Sequence, residues 1–190
     1  MREIVYFSKN AWTTGNFKDL MQAGRMDIVC HAVIMSFFVS NKLREDVKLH
    51  LFFYGKPDPP KHLELMPKIS ENFQISKKDI AGLIKRMLYK YKKGKKNEAF
   101  PGCFVEKLSL LNFIKNLNKD IYILDKNGED IRNINIKDNS IFIIGDHEGF
   151  EKKELREIKK VAKKVSLGNV TYFSSQTIAI LNNELDRRNL

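Results

Sequence analysis

Apolar positions along this chain follow two periods in alternation, and that alternation lays out an α/β protein. Runs of β-branched and aromatic residues at Glu3–Ser8 (EIVYFS), Val47–Tyr54, Lys61–Met66, Asp120–Leu124, Ile141–Ile144 and Val161–Leu167 predict strands, with a short extended piece at Cys103–Glu106. Helical spacing takes over elsewhere. Ile80, Leu83, Ile84, Met87, Leu88 and Tyr91 predict an amphipathic helix over Ser76–Tyr91, and Leu111, Ile114 and Leu117 one over Leu108–Leu117. Two more follow at Glu151–Lys160 and from Ser174 to about Arg188, the last with Ser174 at its N-cap and Phe173 and Ile178 placed as a hydrophobic staple. The segment Ile28–Val39 is apolar except for His31 and Ser36, so it reads as a helix covered on more than one side, suggestive of a subunit interface. Gly55–Pro60, Ala99–Gly102 and Asn127–Asp130 read as turns, Gly94 as a helix stop, and Lys9–Gln22 as a long loop of the kind that often carries function.

Strands alternating with helices imply a mainly parallel sheet with helices on both faces, and 190 residues suit a single domain, 1–190. Ile141–Ile144 is bounded by polar residues and apolar on both faces, as a central parallel strand would be. It runs into Gly145, Asp146 and Gly149. Gly145 and Gly168 each end a strand, with a helix-length connection between them, so these two turns are expected to open onto one crevice at the carboxyl edge of the sheet; Leu124 ends a third strand. Neither GxGxxG nor GxxxxGK[ST] is present, which argues against a dinucleotide fold and a P-loop enzyme. Asp146-His147-Glu148 resembles a catalytic cluster, but adjacent residues rarely share one substrate, and no GxSxG elbow exists.

Charge changes the picture. Lys and Arg outnumber Asp and Glu by 34 to 23, a formal net charge of +11 that favours a polyanionic partner, with a merely lysine-rich surface as the competing reading. Lys85, Arg86, Lys90, Lys92, Lys93, Lys95 and Lys96 concentrate that charge beside Tyr89 and Tyr91, a pattern suited to phosphates and unstacked bases. Arg25 and Asp27 stand at the start of the apolar helix, where capping competes with a functional role. Two cysteines in apolar surroundings fit a reducing cytosol, the four histidines show no metal-ligand spacing, and no stretch is long enough to cross a bilayer. No metal and no membrane partner are expected.

Gly24-Arg25-Met26-Asp27, Tyr54–Pro60, Pro101-Gly102, Asn127–Asp130, Phe142–His147 and Ser166-Leu167, taken in order, resemble the archaeal tRNA pseudouridine N1-methyltransferase family of the SPOUT superfamily. The resemblance runs almost end to end. It implies an α/β fold with a C-terminal trefoil knot, a cytoplasmic homodimer, S-adenosylmethionine as cofactor and N1 of a T-loop pseudouridine in tRNA as methyl acceptor. Carried over by position, the implied cofactor contacts are Leu124, Gly145, Ser166, Leu167, Gly168, Asn169, Val170, Thr171 and Thr177. Asp27 and Arg25 become the candidate catalytic pair, with Asp146 as reserve base and the basic cluster on the RNA. Where the family carries His-Cys, this sequence has Gln176-Thr177, so no cysteine is available there. A SPOUT methyltransferase of another RNA nucleoside, in rRNA, and a non-catalytic RNA-binding module are the alternatives.

Overall fold

The computed structural model describes residues 1–40, 42–66 and 76–190. In chain order the elements are β1 (Arg2–Ser8), α1 (Met26–Phe37), the two-residue strands β2 (Phe38–Val39) and β3 (Lys42–Leu43), β4 (Val47–Phe53), β5 (Lys61–Leu65), α2 (Lys77–Tyr89), β6 (Asn97–Phe100), β7 (Cys103–Glu106), α3 (Leu110–Lys115), β8 (Asp120–Asp130), β9 (Ser140–Gly145), α4 (Lys152–Val161), β10 (Lys163–Ser166) and α5 (Ser174–Arg187). Eight strands make one sheet in the order β10-β8-β9-β1-β4-β5-β7-β6. Pairing is parallel from β10 to β4 and antiparallel from β4 to β6. The parallel half is the one that carries the site.

Period-two alternation decides which helix covers which face. Ile4 and Tyr6 of β1, Leu49 and Leu51 of β4, and Phe142 and Ile144 of β9 join one buried cluster with residues of α1, α2 and α5. Val5, Phe7, Phe52, Ile141 and Ile143 join the other, with Leu110 and Ile114 of α3 and Ile158 of α4. Helices therefore cover both faces. Arg2 fixes the last helix to this frame: its Nε donates to the Leu190 carbonyl at 2.7 Å, and its guanidinium lies 2.7 Å from Asp186, which Arg44 also holds.

Several sequence expectations need correction. The stretch Asn127–Asp130 is no turn but the end of an eleven-residue β8. Gly128 is there because a Cβ would lie 2.6 Å from the Val165 backbone, so it serves close strand approach. The β8–β10 register jumps from Ile123 opposite Lys164 to Glu129 opposite Val165, which leaves residues 124–128 bowed out of the ladder. Helix α1 stops at Phe37, since Phe38 and Val39 pair with Leu43 and Lys42. Ala99 and Phe100 belong to β6, and Val161 ends α4 and does not begin β10. Tyr91 and Gly94 lie beyond α2, which ends at Tyr89, so Gly94, at φ 75°, shapes the following turn. Ser174 is the first residue of α5, not its cap, and Phe173 is 70% exposed, so no staple forms.

The histidine spacing suggested no grouping, yet pairing of β4 with β5 brings His50, His62 and Glu64 within 4.8 Å of one another. His50 Nδ1 and His62 Nε2 are 2.9 Å apart, His62 Nδ1 lies 3.0 Å from Glu106, and Lys96 lies 2.8 Å from Glu64, so these atoms are engaged in a buried hydrogen-bonded chain. Burial pushes His50 down to about 4 and lowers His62 as well. A histidine depressed in the folded state is protonated first in the unfolded chain. Its contribution to stability is therefore complete above about pH 6.5 and is lost as the pH falls toward about 4. His50 and Lys119 hold Glu3 down to about 2 against the upward push of burial, so its contribution fades at lower pH still. Urea midpoints should fall between about pH 7 and 4.5, and less steeply in His50→Phe; a flat profile in the natural protein would remove this account.

Candidate active site

The carboxyl ends of β9 and β10 and the bowed middle of β8 open onto a cleft of about 560 Å³. It is built by three local devices. The bowed segment after Ile123 turns Leu124, Asp125 and Lys126 toward it. Ser166 Oγ accepts the Gly168 N–H at 3.1 Å and donates to the Gly168 carbonyl at 3.0 Å, closing a tight loop in which Gly168 takes φ 122°, a value side chains resist. Ser174 Oγ donates to the Gly145 carbonyl at 2.9 Å and ties the start of α5 to the end of β9.

Of the cofactor residues expected from sequence, Leu124, Gly145, Ser166, Leu167, Gly168, Val170, Thr171 and Thr177 all line this cleft. Asn169 is not among its lining residues. Phe150 and Tyr172, which sequence reasoning passed over, supply aromatic walls, and Ile28 brings the first turn of α1 to the rim. Residues four to five beyond a strand-end glycine are the signal that was available for Phe150. Gln176, at the departure from the family pattern, has a clear local role: its Oε1 accepts the Phe173 N–H at 3.1 Å, while the Thr177 N–H donates to the Phe173 carbonyl at 2.8 Å. A size of this order, backbone groups at strand ends and apolar walls suit an adenosine-bearing cofactor.

Arg25 and Asp27 form a two-pronged ion pair, Nε to Oδ1 and Nη2 to Oδ2, both at 3.0 Å. Arg25 stands in the left-handed region at φ 62° and its side chain makes no helix cap, so capping does not account for it. Its guanidinium holds the Asp27 carboxyl below the usual aspartate range, against a smaller opposing push from burial. Tyr6 of β1 is fully buried, and its hydroxyl has no hydrogen-bond partner among the described residues. Burial raises its pKa, and the charges of Asp146 and Asp27 raise it further.

Asp146 lines the cleft but has little freedom to act as a base. Its Oδ2 accepts from Ser8 Oγ at 2.6 Å, its Oδ1 from the Glu148 N–H at 2.9 Å, and its own N–H donates to the Phe7 carbonyl at 2.9 Å. It holds the turn in place. The basic cluster divides similarly. Lys85 lies over Phe17, Arg86 and Lys90 over Phe100, and Lys96 over Phe104, whereas Lys92, Lys93 and Lys95 project from the turn after α2. Tyr89 is 64% exposed, but Tyr91 is half-buried beneath Lys61 and is a poor stacking platform.

A family model described as "Putative SAM-dependent RNA methyltransferase" matches residues 1–190. Among curated relatives, the tRNA (pseudouridine(54)-N(1))-methyltransferase of Methanococcoides burtonii is 35% identical, the match covering 98% of this chain and 96% of that protein. Its namesake in Methanocaldococcus jannaschii is 32% identical over 100% of this chain and 98% of its own length. In three dimensions the fold is similar to Archaeoglobus fulgidus Nep1, solved bound to S-adenosylhomocysteine, with a TM-score of 0.68 over 99% of this chain and 98% of that one at 13% identity. Full-length agreement with a sequence model and curated relatives, over a fold whose strand ends form one cleft, leads to one conclusion: the chain belongs to the family of SAM-dependent RNA methyltransferases.

Proposed function

We propose that this protein transfers a methyl group from S-adenosylmethionine to N1 of the T-loop pseudouridine of tRNA, in the cytoplasm. The observation that carries the reading is the cleft at β8, β9 and β10, which gathers residues far apart in sequence and includes Ile28, the residue that follows the Arg25–Asp27 pair in α1. Bound there, the cofactor would supply an electrophilic methyl on a sulfonium sulfur. The loop of Ser166 to Gly168 and the end of β9 would hold it through main-chain groups, and Phe150 and Tyr172 would exclude water.

Pseudouridine is attached to its ribose through carbon, so its N1 keeps a proton that uridine lacks. Transfer to N1 requires that proton to be held and then released as the nitrogen becomes nucleophilic. Asp27, kept ionised by Arg25, accepts the N1–H hydrogen bond, orients the ring and takes up the proton as the nitrogen acquires the methyl group, while the guanidinium offsets negative charge developing on the base. Paired tRNA transcripts carrying uridine or pseudouridine at the T-loop position test this with labelled cofactor and nucleoside mass spectrometry. Only the pseudouridine transcript should be methylated; equal labelling of both would sink N1 chemistry.

We also infer a C-terminal knot and a homodimer. The chain leaves β10 at the sheet edge and returns to bond Gly145 through Ser174, the local pattern that threading past residues 124–128 would produce. Val170, Tyr172 and Phe173 are exposed apolar side chains lining the cleft, and Met35 is exposed on α1, apolar surface that a second copy would cover. Light scattering on a sizing column should give twice the chain mass at micromolar concentration. A monomer would remove the dimer and any site shared across it.

A further inference from the structure

A second cavity, of about 520 Å³, opens at the carboxyl ends of β1 and β4, the strands that follow β9 across the sheet. Phe7 and Tyr54 form its floor, and Lys9, Trp12, Gln22 and Lys56 its walls. It adjoins the methyl-transfer cleft. The Phe7 ring stacks on Phe150, a wall of that cleft, with centroids 4.8 Å apart.

The loop that builds this cavity has no regular secondary structure but is firmly placed. The Trp12 N–H donates to the Ala23 carbonyl at 3.2 Å, Thr13 N–H to Lys56 at 2.9 Å, and Gly55 N–H to Ala11 at 2.9 Å. Gly24 and Gly55 allow this packing, because a Cβ on either would lie 1.7 or 2.2 Å from the Asn10 carbonyl oxygen. Such a fixed loop holds a half-buried indole beside two ammonium groups: Lys56 Nζ stands 4.9 Å over the Trp12 ring, and Lys9 lies 3.9 Å from Glu151. The chemistry on offer is a flat aromatic face, cations at the mouth, the Gln22 amide, and one carboxylate able to accept from an exocyclic amine.

We propose that this cavity binds one nucleotide of the RNA strand flanking the methylated nucleoside, with its base on Trp12 and its phosphate on Lys9 and Lys56. The proposal rests on the methyltransferase reading for the identity of the RNA. An arriving base takes the ring face that Lys56 covers, and the released ammonium moves to the phosphate. A polyanion without bases would meet the lysines but leave the indole alone, and a free mononucleotide would lack the neighbouring phosphates.

Trp12 is the only tryptophan in the chain, so its emission reports on this cavity alone. A pseudouridine-containing T-arm stem-loop should quench it saturably, whereas heparin should not and UMP should need far higher concentration. Trp12→Leu should weaken stem-loop binding, read by anisotropy, by about 5- to 150-fold, with circular dichroism and cofactor calorimetry checking its fold. Lys9→Ala with Lys56→Ala keeps the indole and should flatten the salt dependence of binding by about 0.7 per lysine. Unchanged emission at saturating RNA, or native affinity in Trp12→Leu, overturns the subsite, and equal quenching by UMP and RNA replaces it with a free-nucleotide site. Methylation with unchanged emission removes the subsite and leaves the methyltransferase reading intact. Quenching without methylation keeps the RNA contact and removes that reading.

Discussion

Replacing Asp27 with Asn should lower turnover on pseudouridine-containing tRNA by about 10²- to 10⁴-fold, the range that a positioned acid or base typically contributes. The carboxylate is the feature that matters, since Asn keeps the size and one acceptor but loses the charge that pairs with Arg25 at 3.0 Å. Because Arg25 keeps Asp27 ionised well into acid, the natural enzyme should show no loss of rate from Asp27 protonation at any pH above its already lowered value. The Asn variant should bind S-adenosylmethionine as the natural protein does, because the lining of the cleft comes mainly from β8, β9, β10, the loops after them and the start of α5, with Ile28 of α1 only at the rim and Asp27 outside the lining. Single-turnover kinetics separate the two effects. Turnover within a few-fold of the natural enzyme would take Asp27 out of the chemistry and leave the cofactor site standing.

Gly145→Val should weaken S-adenosylmethionine binding by about 5- to 150-fold, corresponding to the roughly 1–3 kcal/mol that overpacking a filled site costs. A single Cβ at this position would already lie 2.9 Å from the Phe150 ring and 3.4 Å from the Gly149 Cα. The ring has little room to retreat, because it stacks on Phe7. It moves instead into the cleft it lines, and the added methyls also crowd the carbonyl that Ser174 holds at 2.9 Å. Calorimetry reads the affinity, and thermal unfolding tells a distorted site from an unfolded chain. Native affinity in this variant would show that the cofactor does not lean on the end of β9. It would also dissolve the link between this cleft and the proposed activity.

Much of this protein is legible in its sequence because the signals are local. The EIVYFS and IFII runs are strands because β-branched and aromatic residues suit a pleated, doubly covered sheet, and Ile80 to Leu88 form a helix because their spacing matches its turn. Gly145 and Gly168 announced the ends of strands for the same reason. Errors began where tertiary pairing outweighed local preference. Asn127-Gly128 has turn chemistry, but the segment lies within β8, in the bow that precedes the Glu129–Val165 pair, and the glycine lets the β10 backbone approach closely. Phe173 and Ile178 have staple spacing, but Phe173 stays at the cleft rim. His50 and His62 are twelve positions apart and meet only because β4 and β5 pair antiparallel. Arg25 and Asp27 were singled out by sequence, but their two-pronged pairing and the burial of the Tyr6 hydroxyl without a partner among the described residues are facts of packing. Sequence order fixes each residue's chemistry and its local geometry. Which distant residues share a cleft depends on strand order and register, and these are set by the burial of whole faces, a sum over the entire core that no single window contains.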